Sequence, residues 1–238
     1  MTRTTNARLA GFAYLFYIAV AFPSMVLFAR ATSGEGLTAK LAGIAQHAAD
    51  LRLAVVLSLG GCFSALILAV TLHAITRDED PDLAMLGLTC RVGEGLIGAA
   101  SIPATVALLQ LATATGPQAP DSAATQALAG FVLEQTPLVS ALFFAVGSTL
   151  FAWLFLRGRM IPIALAWLGV LASVLLVVSL PLQLADVLHG PVTQLMWLPM
   201  AAFEIPLGFW LLLKRVAPSV SNSSGSTIPG DAARSPRI

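Results

Sequence analysis

The chain has 238 residues, of which 57% are hydrophobic and only 11% charged. Soluble domains carry about 25% charged residues, so this composition excludes an ordinary water-soluble fold. The net charge of +1 leaves no electrostatic footprint for nucleic acid, and none is expected as a partner.

A helix crossing the hydrocarbon core of a bilayer needs about 20 apolar residues. The first such run is 9–30. Its flanks, RTTNAR before and Ala29-Arg30-Ala31 after, imitate a secretory leader. The apolar run is longer than a leader's, so it reads as a retained span. Five more runs follow at 51–75, 83–113, 137–156, 161–184 and 194–213. The third is long enough to tilt, or to break near Ser101-Ile102-Pro103. The segments between spans read as loops. Residues 216–238 are rich in Ser, Pro and Gly with almost nothing to bury, so a disordered C-terminal tail is expected. The expected architecture is an all-α integral membrane protein. A bundle of six transmembrane helices occupies 1–215, with the tail beyond it.

Orientation follows the distribution of Lys and Arg. An even number of spans puts both termini on one side. That side collects Arg3, Arg8, Arg77, Arg157, Arg159, Lys214, Arg215, Arg234 and Arg237. The opposite side holds Arg30, Lys40 and Arg52. Both termini are therefore expected to be cytoplasmic.

The third span contains CRVGEGL, residues 90–96. If the span starts at Leu83, Glu94 lies about 16 Å deep and Arg91 about 12 Å. Glu204 precedes Lys214 at the end of the sixth span by ten residues, about 15 Å. Each unpaired charge at that depth costs about 2.5–3.5 kcal/mol, so pairing is expected. Arg91 and Glu94 share a helix face at i, i+3. Glu204 joins them if the third and sixth spans pack together. Gly87, Gly93, Gly95, Gly98, Ala99 and Ala100 permit close backbone approach. One arginine and two glutamates leave one negative charge over. Either one glutamate holds a proton or a further cation visits. Electrostatic glue between helices is the rival reading of the same three residues.

Secondary candidates lie on the opposite side from the termini. His47 and Asp50, and Asp186 and His189, each stand three apart. Two imidazoles and two carboxylates could hold zinc, although interfacial capping explains the spacing as well. Arg52 is the remaining secondary candidate. No recognised metal signature, catalytic set or cofactor fingerprint occurs, so neither a metal nor a cofactor is expected. Cys62 and Cys90 lie in apolar runs and read as buried thiols. Trp153, Trp197 and Trp210 fit an interfacial belt, whereas Trp167 is expected to pack inside.

Four stretches carry a family resemblance. They are ARLAGFAYLFYI at the start, RVGEGLIG in the third span, LFLRGRMIPIALAWLGVLA across the fourth and fifth, and FEIPLGFWLLLKR at the end. Over roughly residues 7 to 215 the chain resembles a bacterial six-span integral membrane family catalogued as a domain of unknown function, of the DUF 4386 type. The resemblance implies a multi-pass protein of the bacterial cytoplasmic (inner) membrane, with the lipid bilayer as partner, and no established activity.

The leading expectation is a small-molecule or ion carrier, or a ligand-binding bundle, centred on Arg91, Glu94 and Glu204. The first alternative is a non-catalytic accessory or scaffold protein. The second is a membrane-embedded metal-dependent hydrolase using the His/Asp set. The balance falls against an enzyme. Nothing in the sequence sets the ligand or the oligomeric state.

Overall fold

In the computed structural model, residues 1–114, 122–134 and 138–214 are described. The expected tail lies outside them, as do Arg215, Arg234 and Arg237. Every regular element among the described residues is helical. Six helices are long and apolar enough to cross a membrane, so the chain is a multi-pass membrane protein.

Helix α1, Arg3–Ala31, begins at Thr2, whose hydroxyl accepts from the Thr5 amide. A short helix α2, Leu37–Gln46, follows, and α3 runs from Ala48 to Thr76. Helix α4, Pro81–Ala100, has a well-marked start. The Asp80 carboxylate accepts from the Leu83 amide at 3.1 Å, and Pro81 fills a first-turn position where no amide donor is needed. The expected break falls at Ser101, after which α5, Ile102–Thr113, resumes. Pro103 sits in its first turn, and the Ser101 hydroxyl donates to the Gly98 carbonyl at 2.6 Å. Helices α6, Ser122–Glu134, and α7, Leu138–Arg157, come next. Then come α8, Ile163–Leu184, a single turn α9, Val192–Leu195, and α10, Leu198–Leu213.

Helices α7 and α8 stop on left-handed residues, Arg159 at φ 49° and Asp186 at φ 58°. Short polar side chains such as Asp tolerate that conformation better than most. Asp186 thus has a role in ending a helix.

The spans close into a ring. In order round it stand α1, α3, α4, α7, α8 and α10, and α10 packs back on α1. At the α1–α10 crossing the backbones nearly touch: a Cβ on Gly11 would stand 2.6 Å from the Gly208 carbonyl oxygen. Small residues allow this, and in lipid such close packing replaces the hydrophobic drive. The interior is filled from all sides by Tyr14, Leu72, Phe144, Phe151, Phe203 and Leu207, among others.

Three expectations need correction. First, α4 and α10 stand three places apart in the ring and face each other across its interior, rather than packing as neighbours. The glycines of α4 serve other contacts. Gly87 and Gly93 receive the rings of Phe151 and Phe143 from α7, and Gly95 meets the Cys62 backbone of α3. Second, two segments read as loops form helices, α2 and α6. With α5 they bury a second apolar cluster, including Ile44, Leu108 and Ala129, at the end of the ring away from the termini. Leu37, Leu41 and Ile44 recur at helical spacing, a signal that was too short to stand out. Third, Trp167 is 48% exposed. It lies four residues into α8, about 6 Å from its start, and belongs to the outward-facing surface.

Candidate functional site

Arg91, Glu94 and Glu204 are 1%, 4% and 6% exposed, and they are the only charged residues buried among those described. Arg91 Nη1 donates to Glu94 Oε2 at 2.7 Å, within one turn of α4. Arg91 Nη2 lies 3.7 Å from Glu204 Oε1, which α10 supplies from the far wall of the ring. The long arginine stem therefore reaches across the interior between two helices that are not neighbours in the ring. Gly147 of α7 makes room for it, since a Cβ there would stand 3.2 Å from Arg91 Cγ.

Two further partners, not expected from the sequence, come from α1. The Tyr17 hydroxyl donates to Glu94 Oε1 at 3.2 Å. Arg91 Nη2 donates to the Tyr14 hydroxyl at 3.4 Å. The signal was available: Tyr14 and Tyr17 stand i, i+3 on one helix face, and buried tyrosine hydroxyls seek partners. The Phe144 ring of α7 covers the guanidinium at 4.7 Å, close enough for a cation–π contribution. Ser140, also of α7, donates to the Glu94 carbonyl at 3.0 Å. Four helices thus converge on one ion-pair network.

The network is not fully satisfied. Among the described residues, Glu204 Oε1 and Arg91 Nε are buried without a hydrogen-bond partner. Buried polar atoms left unpaired are costly, and each calls for an explanation. The fixed charges, one positive and two negative, sum to minus one. A proton on Glu204 or a bound cation would restore neutrality and offer Glu204 Oε1 a partner.

The secondary candidates are dispersed. His47 Nδ1 lies 3.4 Å from Asp50 Oδ2, and Arg30 approaches the same carboxylate at 3.7 Å. His189 Nδ1 lies 3.2 Å from Asp186 Oδ1. Each pair closes on itself. Among the described residues no group of three or more His, Cys, Asp or Glu is placed to hold a metal ion. The four-residue zinc set is therefore not assembled, and the hydrolase reading loses its geometry. Arg52 joins neither pair and lines a cleft between α3 and α5.

At the terminal end, acidic residues that follow α3 form ion pairs. Arg157 binds Glu79 at 3.2 Å and Asp80 at 3.1 Å, tying the α3–α4 turn to the end of α7. Arg3 lies 4.0 Å from Asp78.

Residues 9–214 match the family described as Domain of unknown function (DUF4386). No curated protein and no solved structure matches the chain.

Proposed function

This chain belongs to the DUF4386 family, and we propose that its ring interior is the binding centre of a small-molecule or ion carrier, neutralised by a proton or a small cation. The observation that carries this reading is Glu204 Oε1. It is buried, it stands 3.7 Å from Arg91 Nη2, and it has no hydrogen-bond partner among the described residues. A network built only to hold helices together gains nothing from a carboxylate oxygen without a hydrogen bond and an excess charge, since partial satisfaction is worse than none. Ionisable groups inside a membrane bundle mark ion or substrate paths by default. Arg91 acts as the fixed cation, Glu94 as its permanent partner, and Glu204 as the group whose neutralisation changes with occupancy. The bias of Lys and Arg supports both termini being cytoplasmic in a bacterial inner membrane.

The test is flux. Proteoliposomes carrying the parent protein and a pH-sensitive dye are challenged with proton, sodium and potassium gradients. The parent should carry at least one of these, and Glu204→Gln, which removes the excess charge and keeps the shape, should abolish it. A parent that carries none, or equal flux in both, would overturn the proposal.

A specific observation favours a second reading. One arginine engages α1, α4, α7 and α10 at once and is almost wholly enclosed. A scaffold whose ring is locked by that arginine needs only this. It predicts that Glu204→Gln stabilises the fold and has no effect on any flux.

A further inference from the structure

The cleft at Arg52 has a graded lining. It measures about 370 Å³ and lies between α3 and α5. Arg52, Gln110 and Thr113 line it, all exposed, together with Val55, Val56, Val106 and Leu109. The two helices run in opposite directions along it. Helix α3 descends from Ala48 towards the terminal end, whereas α5 continues the outward course of α4 beyond Ser101. Arg52 at the top of α3 therefore stands level with the outer end of α5, where Gln110 and Thr113 lie. One turn deeper on α3, Val55 and Val56 face Val106 and Leu109. The cleft is polar and cationic at its outer end and apolar below.

Its depth matches a lipid headgroup. Counting from Thr76 at the terminal end of α3, Val56 is twenty residues along, about 30 Å and one hydrocarbon thickness. Arg52 lies a further turn out, about 6 Å beyond that boundary. Val56 is 62% exposed, so the apolar part opens sideways to the acyl region. Arg52 has no ion-pair or hydrogen-bond partner among the described residues. Arg30, the other exposed arginine at this end, is engaged by Asp50.

We propose that this cleft is a binding site for an anionic phospholipid, with its phosphate on Arg52, its polar backbone beside Gln110 and Thr113, and an acyl chain laid along Val56 and Val106. A basic side chain above an apolar groove complements a charged amphiphile, and arginine suits phosphate through its planar fork of donors. The site is independent of the buried Arg91 network, so either can fail alone.

Native mass spectrometry of the full chain, released from nanodiscs of equal phosphatidylglycerol and phosphatidylcholine with matched acyl chains, provides the test. The parent should retain phosphatidylglycerol preferentially. Arg52→Gln should lower that preference about five-fold, the equivalent of about 1 kcal/mol for one basic residue at an anionic surface. Arg30→Gln should retain it. Val56→Trp, at an exposed position, should lose it while keeping the charge. Four outcomes would overturn the proposal: no preference in the parent, equal losses in the two arginine variants, retention in Val56→Trp, or displacement of the lipid by glycerol phosphate at equal concentration.

Discussion

Arg91 and Glu204 stand on opposite sides of the helix ring and meet in its interior at 3.7 Å. Their helices are not neighbours in the ring, so the connection is made by one long side chain. Removing that side chain strands two carboxylates in a buried space. Arg91→Ala should lower stability by about 3–5 kcal/mol, the cost of breaking a buried pair. The triple replacement Arg91→Met, Glu94→Gln, Glu204→Gln should be far less harmful, because no charge is left unpaired. Folded yield in detergent compares the two. An Arg91→Ala protein as stable as the parent would dismiss the network as a structural element.

The two α1 tyrosines should differ in weight. Tyr17 donates to a carboxylate at 3.2 Å, whereas Tyr14 accepts from Arg91 at a longer 3.4 Å. Polar contacts between membrane helices range up to about 1.7 kcal/mol, with an average of about 0.6. Tyr17→Phe should cost an amount near the top of that range and Tyr14→Phe one near the bottom. Thermal melts of the two variants in one detergent give the order, and a larger loss for Tyr14→Phe would contradict it.

The α1–α10 crossing should not tolerate a methyl group. At Gly11 the new Cβ would meet backbone atoms of Gly208 and Leu212 at 2.6 Å, and backbone cannot step aside as a side chain can. Gly11→Ala should cost about 1–3 kcal/mol, the usual penalty of overpacking. At Gly60 a Cβ would meet only side-chain atoms of Phe16, from 3.4 Å, and of Val20, at 3.9 Å, so Gly60→Ala should stay within about 0.5 kcal/mol of the parent. Unfolding midpoints report both, and equal effects would contradict the close crossing of α1 and α10.

Orientation is open to direct labelling. With Cys62 and Cys90 replaced by alanine, cysteine at Gly190, in the turn after α8, should react with a membrane-impermeant maleimide on whole cells. Cysteine at Asp82, at the start of α4, should react only after lysis. The reverse pattern would defeat the charge-bias argument.

Chelation should leave the protein unchanged. His47 and His189 each face a single carboxylate, which is too few ligands for a structural zinc. The melting temperature should be the same with and without EDTA, in the parent and in His47→Ala, His189→Ala. A chelator-sensitive parent would restore the metal reading.

Much of the molecule is set by local chemistry and was legible in the residues. Runs of apolar side chains long enough to cross a bilayer can do little else, because backbone polar groups in lipid must be satisfied within a helix. The six spans and the break at Ser101 follow from that rule. So does the pairing of Arg91 with Glu94, which needs only a helical turn. Equal depth along two helices also brought Glu204 to the level of Arg91. What equal depth cannot supply is the order of helices round a ring, or which way each one is turned. Those depend on side-chain fit between segments far apart in sequence. Only the folded chain sets α4 opposite α10, turns Tyr14 and Tyr17 of α1 inward, and leaves Glu204 Oε1 without a hydrogen-bond partner among the described residues. The short helices α2 and α6 were missed for a related reason. Each is too brief to hold its shape alone, and its stability comes from the apolar cluster it builds with α5.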